Sequence, residues 1–167
     1  MTIDGTDFKI NEPTPFDKGW LSHKMNHSGL RYEVGVCIQT GWICWINGPF
    51  PCGEYPDVNI FRMSLKGMLD DNERVEVDSG YVDDKVRSKD DYHGIRHWRY
   101  EKGQARARHE NVNGRFKEWK CMGNVFRHDK RKHKEYFYAV ATIVQSEIMH
   151  RRGTYQLAQY KIIRNFE

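Results

Sequence analysis

The sequence of 167 residues lacks any apolar run of about 20 residues, the length needed to cross a membrane. Its first ten residues also lack the basic and apolar regions of a secretory signal peptide. We therefore expect a soluble, intracellular protein without a membrane partner. Repeats, low-complexity tracts and long linkers are absent as well, which predicts one domain over residues 1–150 and an unassigned tail over 151–167.

Cysteine is scarce, and the four cysteines form no CxxC pair. Zinc sites usually combine such pairs with histidines at matching spacing. No cysteine or carboxylate at ligand spacing supports His23 and His27, or His128 and His133. We therefore expect no zinc site and predict that these histidines are solvated.

Charge is distributed unevenly along the chain. Residues 1–81 contain 12 Asp and Glu against 7 Lys and Arg, whereas residues 82–135 contain 9 against 16. The acidic part suits cation binding, and the basic part, interleaved with aromatic residues, suits a polyanion. The same distribution also fits an ordinary solvated surface with aromatic residues in the core.

Hydrophobic periodicity predicts a mixed α/β architecture. Alternating runs predict strands at 2–10, broken by Gly5, and at 73–77, with a hairpin of 32–40 and 42–47 turning at Gly41. Asp57 is placed to cap a helix over 58–69. The segment 81–103 has no period, and further helices are predicted at 105–122 and 135–149. This order of elements predicts a mixed sheet flanked by helices.

The helix predicted at 105–122 has two distinct faces. Val112, Phe116 and Trp119 form an apolar stripe. The opposite face carries Arg106, Glu110, Asn113 and Lys117. Glu110 is therefore expected to point away from the apolar stripe.

Three carboxylates stand at positions suited to metal-ion chemistry. Asp4 and Asp78 lie at the ends of predicted strands, each beside a small or glycine-containing turn, and Glu110 lies on a helix. Phosphodiester chemistry uses divalent ions held by such oxygen ligands. Taken singly, each acid also reads as a turn residue or a solvated helix residue, and Asp7, in the same strand, is an alternative to Asp4.

Four blocks carry a resemblance to a known family. The segments 3–6, 56–62, 77–81 and 110–117 resemble, in order and approximate spacing, the DDE superfamily endonuclease domain of PIF/Harbinger-type and IS4/IS5-like transposases. The resemblance implies an RNase H-like fold, with Asp4, Asp78 and Glu110 as catalytic residues that bind two Mg²⁺ or Mn²⁺ ions. It also implies DNA cleavage and, in active transposases, strand transfer.

The sequence departs from the family pattern at two points. Asp7 stands where members commonly have histidine, and Asp4 lies only three residues from the start, so the upstream recognition helices of typical members are not in this sequence. We therefore expect a truncated copy, an incomplete gene model, or a catalytic half that relies on a separate DNA-binding partner protein. The alternative function is a catalytically inactive or domesticated relic that acts as a DNA- or protein-binding module. A homo-oligomer is a further expectation, as is location in the nucleus of a eukaryote or otherwise in the cytoplasm.

Basic residues of the second half are predicted to bind the phosphate backbone without reading sequence. The predicted DNA contacts are Arg96, Arg99, Arg106, Arg108, Asn113, Lys117, Arg127, Lys130, Arg131 and Lys132.

Overall fold

The computed structural model of the protein describes residues 1–88, 96–150 and 153, with the backbone alone at 96–99. The strands are β1 (Thr2–Lys9), β2 (Leu21–Ser22), β3 (His27–Val36), β4 (Ile43–Pro51), β5 (Val75–Glu76) and β6 (Val86–Arg87). The helices are α1 (Asp57–Met63), α2 (Arg96–Glu118), α3 (Lys120–Gly123) and α4 (His133–His150), with 3-10 turns at Lys18–Trp20, Leu65–Met68 and Lys130–Lys132.

The sheet is mixed, with strand order β2-β3-β1-β5-β6 and with β4 also paired to β3. Strand β1 runs antiparallel to β3 and parallel to β5, and β5 runs parallel to β6. Helices cover both faces of this sheet. The architecture confirms the expected α/β, RNase H-like fold.

Strand β1 is buried on both faces. Phe8 joins a core with β3, α2 and α4, in which Phe116 and Phe137 are fully buried. Ile3, on the other face, packs with Phe61 of α1. Burying apolar area on both faces makes β1 the central strand, and it holds the candidate site in a rigid position.

The predicted break of the first strand at Gly5 is wrong. Gly5 lies inside β1, opposite Glu33 of β3. The glycine has a tertiary contact, because a Cβ atom there would overlap the carboxylate of Asp57, which would have to move. Asp57 is also not a helix cap: Pro56 occupies that position, no side chain caps α1, and Asp57 pairs instead with Arg31 at 3.1 Å.

The predicted hairpin is confirmed as the antiparallel pair β3 and β4. Gly41 turns the chain with a φ of 75°. Strand β4 continues beyond the predicted end at residue 47 and reaches Pro51. Strands β2 and β6 were not predicted, and β5 is shorter than the predicted 73–77.

The helices match the predicted positions with shifted ends. The helix predicted at 58–69 ends at Met63 and continues as the 3-10 turn, while α2 begins at Arg96, nine residues before the predicted start. Val112 and Phe116 are buried as predicted, but Trp119 follows α2 and is 37% exposed. The predicted tail over 151–167 lies outside the described residues except for 153.

Candidate active site

A cavity of about 490 Å³ lies between β1, the segment after β5 and one side of α2. Asp4 of β1, Asp78 from the segment after β5 and Glu110 of α2 all line it. Three acids that are far apart in the sequence are therefore brought to the wall of one cavity.

The parallel pairing of β1 with β5 explains why Asp4 and Asp78 face the same way. Thr2 pairs with Glu76, and each aspartate lies two residues further along its strand direction. Side chains alternate between the faces of a sheet with a period of two. Both carboxylates consequently face α2, where Asn113 Nδ2 donates to Asp4 Oδ2 at 3.3 Å.

The alternative residue Asp7 is directed to the opposite face of β1. It is buried there and accepts two hydrogen bonds from Arg31, at 2.7 and 2.8 Å, and one from Ser22 Oγ at 2.6 Å. The hydrogen bonds from Arg31 and Ser22 outweigh the effect of burial and lower the pKa of Asp7. Asp7 is thus a structural ion-pair residue that does not line the cavity.

Asp4 lies in a setting that favours a nearby cation. Burial raises its pKa to about 6, and the negative charge of Asp57 adds to this shift, whereas Lys24 and Arg106 oppose it. A carboxylate that is costly to ionise because of burial gains more than an exposed one when a positive ion binds beside it.

Asp78 and Glu110 share a single guanidinium group. Asp78 opens a turn, in which Ser79 N donates to its Oδ1 at 2.7 Å. Arg106 Nη1 also donates to Asp78 Oδ1 at 2.7 Å, and Arg106 Nε donates to Glu110 Oε1 at 3.1 Å. The side chains of Asp78 and Glu110 are 40% and 62% exposed, so both acids are reachable from solvent.

The three acids fit divalent metal ions in their chemistry. Carboxylate oxygens are the ligands that Mg²⁺ and Mn²⁺ prefer, and Asp78 and Glu110 already share one cationic group. As the side chains stand, no group of three His, Cys, Asp or Glu in the described residues is close enough together to hold a metal ion. A metal site built from these three acids would therefore require side-chain movement.

Two side-chain pairs at the cavity wall were missed by the sequence reasoning. The buried His109 Nδ1 lies 2.8 Å from Thr2 Oγ1 and ties α2 to β1. Lys102 Nζ lies 2.7 Å from Glu76 Oε2 and ties α2 to β5. A signal for His109 was present in the sequence, since it lies three and seven residues before Val112 and Phe116 on the buried stripe.

His109 stays neutral in this position. Burial lowers its pKa to about 4, and its Nε2 atom has no hydrogen-bond partner among the residues that the structure describes. A neutral imidazole adds no positive charge to the cavity, so the ring acts as packing and as a link to Thr2.

Two of the predicted DNA contacts have other roles in the structure. Arg108 is 1% exposed and donates from Nη1 to the carbonyl oxygens of Ile38 and Gln39 at 2.5 and 3.2 Å. Asn113 is 8% exposed and donates to Asp4. Arg108 joins α2 to the end of β3 and is unavailable to a phosphate, and Asn113 orients a carboxylate.

The remaining predicted DNA contacts that the structure describes are on the surface. The side chains of Arg96 and Arg99 lie outside the described residues. Lys130 covers the Trp20 ring, with Nζ 3.8 Å from its centroid. The exposed basic residues of the predicted set are Arg106, Lys117, Arg127, Lys130, Arg131 and Lys132.

A sequence model of the DDE superfamily endonuclease family matches residues 3–145, which is most of the chain. The chain belongs to this family. No curated protein and no solved structure matches it significantly. The match covers β1 through most of α4 and includes Asp4, Asp78 and Glu110. The assignment to the PIF/Harbinger or IS4/IS5-like type stays a prediction.

Membership of the DDE endonuclease family indicates a transposase-type nuclease with DNA as its substrate and with divalent metal ions as its usual cofactors. None of the helices in the described parts of the chain is long and apolar enough to cross a membrane.

Proposed function

We propose that this domain is a metal-dependent DNA endonuclease of the transposase type in which Asp4, Asp78 and Glu110 hold two Mg²⁺ or Mn²⁺ ions. The observation that carries the proposal is the convergence of these acids on one cavity between β1, β5 and α2. Asp4, Asp78 and Glu110 are the residues that would hold the ions, through their carboxylate oxygens.

Bound divalent ions supply a strong nucleophile at neutral pH and neutralise charge on the scissile phosphate. The protein's own residues position the ligands. Asn113 holds Asp4 through its amide, and the Thr2–His109 pair holds α2 against β1. Asp4 lies on a strand that is paired on both edges and buried on both faces, and this packing supports the position of its backbone.

The exposed basic residues deliver DNA to this cavity. Lys117 lies on the same face of α2 as Glu110, two turns further along. Arg127 and the Lys130–Lys132 turn extend the positive surface before α4. These residues bind phosphates without reading sequence, so affinity falls steeply with salt. Strand transfer, a separate DNA-binding partner, a homo-oligomer and a location beside DNA in the nucleus or bacterial cytoplasm are parts of the same proposal.

The test is nicking of supercoiled plasmid DNA by the purified chain in Mg²⁺ or Mn²⁺, with EDTA as the blank. Asp4→Asn, Asp78→Asn and Glu110→Gln should each reduce nicking to the EDTA level without changing thermal unfolding by more than a few degrees. Asp71→Asn is the matched control, because Asp71 is fully exposed and does not line the cavity. Full metal-dependent nicking by Asp78→Asn would refute the assignment.

A catalytically inactive binding module is the second candidate. It is favoured by the ion pairs from Arg106, which occupy two of the three acids. This candidate predicts salt-dependent DNA binding with no nicking at any Mg²⁺ or Mn²⁺ concentration and no metal binding that depends on Asp78.

A further inference from the structure

The guanidinium group of Arg106 joins two acids from different parts of the chain. Its Nη1 atom lies 2.7 Å from Asp78 Oδ1, and its Nε atom lies 3.1 Å from Glu110 Oε1. One planar cation therefore partners both carboxylates at once, in the cavity to which the proposed function assigns the metal ions.

Resting on that proposed function, we propose that Arg106 is a built-in competitor of the divalent ions. In the metal-free protein its guanidinium bridges Asp78 and Glu110, and it must leave these oxygens before metal ions bind there. Arg106 thereby sets the metal concentration at which the site becomes loaded.

The competition follows from charge and from shared ligands. Asp78 Oδ1 and Glu110 Oε1 are the atoms that Arg106 contacts and also oxygen atoms that a metal ion would use. Positive charges a few ångströms apart repel each other, so this pair of acids holds a divalent ion more weakly while the guanidinium stays in place. Arg106 is 52% exposed on the surface of α2, and exposed ion pairs of this kind are weak enough to be exchanged.

Lys102, another cation of the cavity wall, is held in place more firmly than Arg106. Its side chain is 10% exposed, and its Nζ lies 2.7 Å from Glu76 Oε2 and 2.6 Å from the carbonyl oxygen of Ser88. Lys102 is therefore held in place as part of the wall, whereas Arg106 can swing into solvent from its helix position.

Displacement also changes what Arg106 can bind. Once released, the guanidinium stays on the cavity side of α2, on the same face as Lys117, and its next available anion is a DNA phosphate. Metal loading should therefore strengthen DNA binding, and by linkage DNA should strengthen metal binding to the same extent. Arg106→Gln should remove this coupling.

The test is a Mn²⁺ titration of the full chain without DNA, followed by electron paramagnetic resonance of free Mn²⁺. Arg106→Gln should bind Mn²⁺ about tenfold more tightly than the wild type, since a unit positive charge beside the ion is lost. The Mn²⁺ affinity of Arg106→Lys should lie between those of the wild type and Arg106→Gln, because lysine keeps the positive charge but lacks the planar guanidinium that contacts both acids. Arg115→Gln removes a positive charge elsewhere on α2, and its Mn²⁺ affinity should stay within about twofold of that of the wild type.

Equal or weaker Mn²⁺ binding by Arg106→Gln would overturn the competitor role. The Asp78→Asn variant separates this result from failure of the proposed function. If the wild type binds Mn²⁺ through Asp78 while Arg106→Gln binds no more tightly, the competitor role fails and the metal site stands. If neither the wild type nor Arg106→Gln shows binding that depends on Asp78, both proposals fall.

Discussion

Acidification should destabilise the protein through His133, the first residue of α4. Its side chain is 0% exposed, which corrects the expectation of a solvated histidine. Nδ1 lies 2.9 Å from Tyr32 Oη, and the ring packs against Phe8 and Phe126. Within the described part of the chain, Nε2 has no hydrogen-bond partner. Burial lowers the pKa of His133 to about 4. The positive end of the α4 dipole also disfavours a charged imidazole there.

The size of the effect follows from this pKa. An unfolded histidine titrates near pH 6.5, so the unfolded chain takes up the proton first as the pH falls. The stability that depends on neutral His133 is fully present above about pH 6.5 and is lost progressively toward pH 4. Between pH 7 and pH 5 the free energy of unfolding should lose about 2 kcal/mol from this residue. Raised carboxyl pKa values, such as that of Glu33 at about 7, act in the opposite direction.

A comparison of variants isolates the contribution of His133 from those carboxyl groups. His133→Asn keeps an acceptor for the Tyr32 hydroxyl but cannot take up a proton in this pH range. Urea unfolding followed by circular dichroism at pH 7 and pH 5 should show about 2 kcal/mol less pH dependence in this variant than in the wild type. His23→Asn, at an exposed loop position, should leave the pH dependence unchanged. Equal pH dependence in His133→Asn and the wild type would refute the reasoning.

Four further variants test the frame of the site and its basic surface. Gly114→Ala should stabilise the protein by about 1 kcal/mol, because the position is inside α2 and a Cβ meets open space; any loss in urea unfolding would contradict this. Gly5→Ala should lower the free energy of unfolding by about 1–3 kcal/mol, because the added Cβ displaces the Asp57 carboxylate. If that contact is the cause, adding Asp57→Ala to Gly5→Ala should recover part of the lost stability. Arg108→Met should cost about 2 kcal/mol by leaving two carbonyl oxygens without their donor, yet leave the salt dependence of DNA binding unchanged. Lys132→Gln should instead lower the slope of log K against log salt by about 1 without affecting stability. If Arg108→Met lowered this slope and Lys132→Gln lowered the stability, the roles assigned to the two residues would be wrong.

Local patterns predicted the elements whose signal is contained within one segment. The spacing of Val112 and Phe116 correctly predicted the buried stripe of α2, and alternation correctly predicted the β3–β4 hairpin. Strands β2 and β6 are only two residues long. No period can be read over two residues, and such strands exist through hydrogen bonds to distant partners, so the sequence pattern could not predict them.

Residues that depend on distant partners were assigned wrongly from the sequence. Aspartate is a residue type that commonly caps helices, but Asp57 is positioned by its ion pair with Arg31 and by the space beside Gly5. Arginine is usually exposed at the surface, but Arg108 donates hydrogen bonds to carbonyl oxygens about 70 residues earlier in the chain. Burial of a polar group is set by what packs around it, and a local pattern contains no information on that packing.

The sequence by itself determined which acids were candidates and placed Asp4 on a strand and Glu110 on the polar face of a helix, because these assignments depend on short-range periodicity. Only the tertiary structure decided that Asp4, and not Asp7, faces α2, because a period of two defines two faces without saying which one is covered. The parallel pairing of β1 with β5 brought Asp78 beside Asp4. Long-range hydrogen bonding and burial of the two cores produced that pairing, and with it the cavity in which the three acids meet.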